Sequence, residues 1–248
     1  MTQPEIRVVS DGAALAELAA RLFVEAAAAS IAARDDFAVA LSGGSTPRAM
    51  FQRLAQTPLR EQVDWSKLHV FWGDERTVPP DSPESNYHMA RQALLAHVPV
   101  PDDQIHRMQG ELDPYRAAAD YEAVLRQVFQ LGQQPRLPVF DLQLLGIGSD
   151  GHTASLFPGT PALHERGRLC VANPVPQLQT TRLTLTPPVI TASALVLVLA
   201  AGAEKAEAVA RAIQGEWDFD TTPSQLLRHS EGRVVWLLDP EAAADLTQ

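Results

Sequence analysis

Short apolar runs separated by helix-patterned segments govern what this chain can become. The runs at 37–41 (FAVAL), 68–72 (LHVFW), 195–199 (LVLVL) and 234–238 (VVWLL) have strand length and are apolar at nearly every residue, as strands covered on both faces are. Residues 6–9 and 139–145 (VFDLQLL) read as further strands, and 182–186 (RLTLT) alternates as a strand with one wet face. Between them, residues 13–34, 47–55, 85–97, 113–131 and 203–213 carry apolar side chains at helical spacing. Ser10 or Asp11 is placed to cap the first helix, and Pro47 sits where a first helical turn tolerates proline. Strands that alternate with helices pair in parallel. The expected fold is therefore α/β: a doubly wound, Rossmann-like, mostly parallel sheet with helices on both faces. No repeat, linker or compositional break divides the chain, so one domain over residues 1–248 is expected, with 98–107 and 158–179 as its irregular stretches.

Charge narrows the function classes. Twenty basic against 30 acidic residues give a net charge of −10, which disfavours nucleic acid and anionic membranes as partners. A phosphorylated small molecule needs only a few local donors and stays open. Lys67 and Lys205 are the only lysines, which makes their positions worth following. The single cysteine, Cys170, lies in an apolar run and reads as a buried small side chain in a protein of a reducing compartment. The start of the chain lacks the basic and apolar regions of a signal peptide. The longest apolar stretch, 192–202, is shorter than the roughly 20 residues a bilayer requires. A cytoplasmic protein is expected.

Ligands in such sheets bind beyond the carboxyl ends of the strands, where strand order reverses. Four loops follow the apolar runs. The first, Ser42-Gly43-Gly44-Ser45-Thr46-Pro47, joins glycines and hydroxyls to a helix N-terminus and suits a phosphate or polyol. It is neither a Walker A loop nor G-x-G-x-x-G, so no nucleotide is indicated. The second, Asp74-Glu75-Arg76, offers an acidic pair for polar substrate groups and a cation for phosphate, and the run 84–87 (ESNY) is placed to fold back on it. The third, 146–158 (GIGSDGHTASLFP), holds Asp150 and His152 in a glycine-dense turn; histidine is the natural general base near neutral pH. Asp150 is suited to orient the imidazole, to bind a sugar hydroxyl or to cap the turn. One Asp and one His make no zinc site, so neither metal nor cofactor is expected. The fourth, 202–206 (GAEKA), puts Lys205 in a first helical turn, where a cation is unfavourable unless an anion binds there. Arg182, at the start of RLTLT, is placed to converge on the same anion.

As a set these motifs resemble the 6-phosphogluconolactonase family. SGGSTP (42–47), DER (74–76), GIGSDGHTASLFP (146–158), RLTLT (182–186), GAEKA (202–206) and the closing WLLD-x-x-A-A (236–243) occur in the family's order along nearly the whole chain. The resemblance implies hydrolysis of 6-phospho-D-glucono-1,5-lactone, with His152 and Asp150 catalytic. It implies substrate contacts from Gly43, Gly44, Ser45, Thr46 and Asp74, and cationic partners of the phosphate or nearby oxygens in Arg76, Arg182 and Lys205. Two relatives of similar fold offer alternatives: glucosamine-6-phosphate deaminases, and the sugar-phosphate sensor domains of a class of repressors. The deaminase pattern carries a glutamate seven residues after the aspartate of D-G-H; here that position is Phe157, which cannot transfer protons. The α/β pattern leaves no room for an N-terminal helix-turn-helix. A monomer or weak homodimer acting on a phosphorylated sugar lactone is expected.

Overall fold

The computed structural model describes residues 4–132 and 136–247. Six parallel strands form the main sheet in the order β1 (Glu5–Val8), β9 (Arg233–Leu238), β8 (Leu195–Ala200), β5 (Leu142–Leu145), β2 (Phe37–Leu41) and β3 (Leu68–Trp72). From β2 the chain steps outward to β3, then returns to place β5 on the other side of β2. Strand order thus reverses between β2 and β5, and the four loops singled out above leave the neighbouring strands β8, β5, β2 and β3 at their carboxyl ends.

Burial on both faces follows from the alternation within each strand. Phe37, Val39 and Leu41 of β2 pack into one core with α1 (Gly12–Arg34), α2 (Ser45–Leu54) and α3 (Asn86–Ala93). Ala38 and Ala40 of the same strand face a second core with α4 (Pro114–Val128) and α6 (Ala206–Ile213). Caps fix the helix starts: Asp11 accepts from Ala14 N at 2.8 Å, and Asp113 accepts from Arg116 N at 3.0 Å. No helix among the described residues is long and apolar enough to cross a membrane.

The structure corrects the expected architecture in five places. Asp74–Arg76 is strand β4 rather than a loop, and the supposedly irregular 158–179 contains strand β6 (Cys170–Val175). With β7 (Thr180–Leu185) they form a separate antiparallel sheet in the order β4-β7-β6, so RLTLT lies outside the parallel sheet. Helix α2 starts at Ser45, two residues before the proline, because Gly44 at φ +107° makes the turn into it. The helix expected over 85–97 stops at Ala93: Leu94 leaves helical geometry, and a 3₁₀ turn over Leu95–His97 follows. Between Pro187–Thr191 (α5) and β8 the chain re-enters the main sheet.

Gly73 alone separates β3 from β4. Its N–H donates to Leu41 O at 2.9 Å in the main sheet, and its carbonyl accepts Leu185 N at 2.9 Å from the second. The Tyr121 hydroxyl of α4 satisfies the backbone of Trp72 just before it, accepting from the N–H at 2.9 Å and donating to the carbonyl at 3.1 Å. Cys170 is fully buried, and burial pushes its thiol far above the ordinary range, as an inert core residue requires.

At the outer edge, His106 lies 3.1 Å (Nε2) from His69 Nδ1 and stacks on Phe71. Burial, and then the neighbouring His69, lower the His106 imidazole from 6.5 to about 4. A group held below its unfolded value stabilises the fold fully above about pH 6.5 and loses that contribution as pH falls through about 4. Thermal unfolding across this window should show a declining Tm in the wild type and a flatter profile in His106→Gln. Parallel profiles would assign the decline to other groups.

Candidate active site

One cavity of about 450 Å³ opens at the reversal of strand order, and all ten side chains or backbone segments singled out from the sequence line it: Gly43, Gly44, Ser45, Thr46, Asp74, Arg76, Asp150, His152, Arg182 and Lys205. Main-sheet loops supply seven of them and the second sheet supplies Asp74, Arg76 and Arg182.

The loop after β5 holds the imidazole. His152 Nδ1 lies 2.6 Å from Asp150 Oδ1, and the same oxygen accepts the His152 backbone N–H at 3.1 Å. Of the three roles open to Asp150, the geometry shows two at once: the carboxylate caps the turn and bonds the imidazole. Burial alone would raise the Asp150 carboxyl, but the hydrogen bond and charge of His152 outweigh it and hold it below its ordinary value. With Nδ1 occupied by the carboxylate, Nε2 is the imidazole nitrogen left for a ligand. Gly148 is glycine for a steric reason: a Cβ there would lie 2.1 Å from His152 Nδ1.

The loop after β2 brings backbone. The N–H groups of Gly43 and Gly44 donate to no protein acceptor among the described residues, and Ser45 and Thr46 form the first turn of α2. A Cβ on Gly43 would lie 1.8 Å from Asn86 Oδ1, so this glycine makes room for Asn86 as well as for a ligand.

Asn86 and Ser155 are site residues that the sequence reading did not select. Asn86 Nδ2 donates to Asp74 O at 2.9 Å and to Asp74 Oδ1 at 3.3 Å, and Ser155 Oγ donates to Asp74 Oδ2 at 2.7 Å. Asp74 is thereby fixed, 8% exposed, at the cavity wall by neutral donors. Ser155, tied to that carboxylate, is not a free nucleophile. Glu75 points away from the cavity, so the expected acidic pair is a single carboxylate. It accepts from Arg76 N at 2.7 Å, Asn86 N at 2.8 Å, Tyr87 N at 2.8 Å and Ser85 Oγ at 3.0 Å, and burial pushes it up despite these donors. The run 84–87 does fold back on this loop, and Glu75 is what it folds onto.

Three cations converge on the cavity without carboxylate partners. Ion pairs engage Lys67, Arg53, Arg107 and Arg168 elsewhere; among the described residues Arg76, Arg182 and Lys205 join none. Arg76 and Arg182 stand opposite each other in the β4–β7 ladder, an unfavourable like-charge pairing. Arg182 Nε is buried without an acceptor, and burial followed by Arg76 lowers its guanidinium below the ordinary value. An anion would resolve the repulsion and satisfy the orphaned donor together. Lys205 closes a 3₁₀ turn leading into α6, and Asp239 holds that loop by accepting Gly202 N at 3.0 Å. No three His, Cys, Asp or Glu side chains among the described residues are grouped to hold a metal ion.

Comparison with known proteins gives the family and the fold. The family described as glucosamine-6-phosphate isomerases/6-phosphogluconolactonase matches residues 10–236. A 6-phosphogluconolactonase of Synechocystis sp. is 41% identical over 245 residues, covering 98% of each chain. One of Mycobacterium tuberculosis is 39% identical, with 97% of this chain and 98% of that one covered. The solved 6-phosphogluconolactonase from Trypanosoma cruzi superposes with a TM-score of 0.86 at 35% identity, covering 99% of this chain and 98% of that one.

Proposed function

The chain belongs to the family of glucosamine-6-phosphate isomerases and 6-phosphogluconolactonases, and from that membership and the geometry of its cavity we infer that it hydrolyses 6-phospho-D-glucono-1,5-lactone to 6-phospho-D-gluconate, a step of the pentose phosphate pathway. The observation that carries the reading is a carboxylate-oriented imidazole facing unpaired cations across one cavity. The deaminase alternative is not favoured, since Phe157 stands where that pattern carries a glutamate.

His152 Nε2 takes a proton from a water that attacks C1 of the lactone. The C1 carbonyl becomes a tetrahedral oxyanion. When the bond from C1 to the ring oxygen breaks, His152 returns the proton to that oxygen, leaving the hydroxyl of the open-chain acid. Asp150 holds the ring and balances the imidazolium that forms in between. Arg76, Arg182 and Lys205 hold the phosphate at the far end, so its binding energy places C1 beside the base. The amides of Gly43 and Gly44, with Ser45 and Thr46, contact substrate oxygens, and Asp74 accepts from a sugar hydroxyl. Both sheets build this one cavity, which supports reading residues 1–248 as a single catalytic domain. The reading extends to a monomer or weak homodimer in the cytoplasm, a compartment that the sole, buried cysteine suits.

The test couples fresh lactone to 6-phosphogluconate dehydrogenase and NADP. NADPH should appear faster with the protein than by spontaneous hydrolysis alone. A rate equal to background would overturn the lactonase reading, and glucosamine 6-phosphate would then be tried as substrate.

A further inference from the structure

The ring beside the base is not solvent-facing scenery. Phe157 is 6% exposed, and its ring lies against the His152 imidazole with centroids 4.1 Å apart and planes 27° from parallel. The turn between them makes this stack. Thr153 Oγ1 donates to Gly146 O at 2.9 Å, Leu156 N donates to Thr153 O at 3.0 Å, and Ala154 takes a left-handed conformation at φ +48°. The chain therefore doubles back within five residues and lays Phe157 on His152. Gly148 closes the Nδ1–Cε1 edge of the imidazole and Asp150 holds Nδ1. The base sits in a slot with an aromatic face, a backbone edge and a carboxylate end.

We propose that Phe157 is a positioning residue for the base: its ring face favours the imidazolium that His152 becomes on taking a proton, and its bulk keeps the imidazole in the orientation Asp150 requires. The face of a phenyl ring carries negative charge density and attracts a cation lying against it. Leucine in its place preserves an apolar, buried contact but has no such face, so the comparison isolates the aromatic contribution from desolvation. The other charges around His152 stay put in that comparison. They are Asp150 on the same loop; Arg211 of α6, whose Nη2 donates to Ser149 O at 3.3 Å; Asp74 and Arg76 of β4; Arg182 of β7; Lys205 before α6; and Asp220, which pairs with His164 at 2.8 Å beyond Phe157. The inference rests on the lactonase reading for its catalytic meaning, though the stack itself does not.

Two readouts test it. In the free enzyme, proton NMR of the His152 Cε1–H, assigned by its loss in His152→Gln, follows protonation without any turnover. In steady state, the acid limb of kcat/KM against pH follows the same event where spontaneous lactone hydrolysis is slow. In Phe157→Leu both midpoints should move to lower pH by about half a unit. kcat should fall about threefold and KM stay within about twofold. Phe157→Tyr should behave as the wild type. Phe157→Met carries the same test if the leucine variant does not fold. An unchanged NMR midpoint together with an unchanged kcat in the leucine or methionine variant would overturn the proposal. If the wild type fails to accelerate lactone hydrolysis, the lactonase reading falls by that result, and the NMR midpoint still decides whether Phe157 acts on His152.

Discussion

Replacing His152 by alanine is expected to lower kcat by about 10²–10⁴-fold while KM for the phosphorylated lactone stays within about twofold. The size follows from what is removed. The ring is the cavity's oriented proton acceptor, with Nδ1 committed to Asp150 at 2.6 Å and Nε2 free. The small change in KM follows from what remains, since the three unpaired cations and the loop after β2 are untouched. His152→Ala also empties the space beside Phe157 without opening the main core, so the variant should unfold at nearly the wild-type temperature. Steady-state rates above the spontaneous background measure the effect. A kcat near that of the wild type would place the base on another group, and Asp74 would be examined first because it is the remaining fixed carboxylate at the wall.

The second large effect is expected at Arg182. Arg182→Met should raise KM about 10–100-fold, the range for losing a charge-assisted hydrogen bond to phosphate. Stability should move the other way. Arg182 faces Arg76 across the β4–β7 ladder with its Nε unsatisfied, so its removal relieves repulsion and an orphaned buried donor. The free variant should therefore unfold at a temperature no lower than the wild type, whereas a structural arginine would show a loss. Inorganic phosphate should raise the Tm of the wild type through binding linkage and raise that of the variant less. An unchanged KM and an unchanged phosphate response would remove Arg182 from the anion site.

The legibility of this molecule in its sequence divides along its two sheets. Parallel strands buried on both faces write themselves as apolar runs, so β2, β3, β8 and β9 were visible at nearly their true limits, and the strand-end rule then pointed to the loops that line the cavity. Of the second sheet only β7 was legible, as the alternating run 182–186; β4 and β6 left no such trace. Asp74–Arg76 is three charged residues in a row, and Cys170–Val175 carries Asn173 and Pro174 where an alternating pattern would be read. Their pairing is with β7, which for Arg76 lies more than a hundred residues along the chain, and a local pattern cannot encode that. Asn86 and Ser155 were missed for the same reason: each acts by bonding to Asp74 from another segment, Asn86 from the start of α3 and Ser155 from the loop after β5. Glu75 was misjudged because neighbouring carboxylates look alike in sequence, while alternation along β4 sends one to the cavity wall and the other to the start of α3.

The single residue between β3 and β4 makes the cavity a gauge. Gly73 is bonded into both sheets, to Leu41 on one side and Leu185 on the other, so Arg76 and Arg182 of the second sheet are tied through one residue to the sheet whose loop carries His152. On the proposed binding mode a phosphorylated lactone one carbon shorter is expected to leave either its phosphate or its carbonyl out of register, which makes size selection a property of the scaffold. Lengthening the chain at Gly73, with every lining residue kept, would recalibrate which sugar the same chemistry accepts.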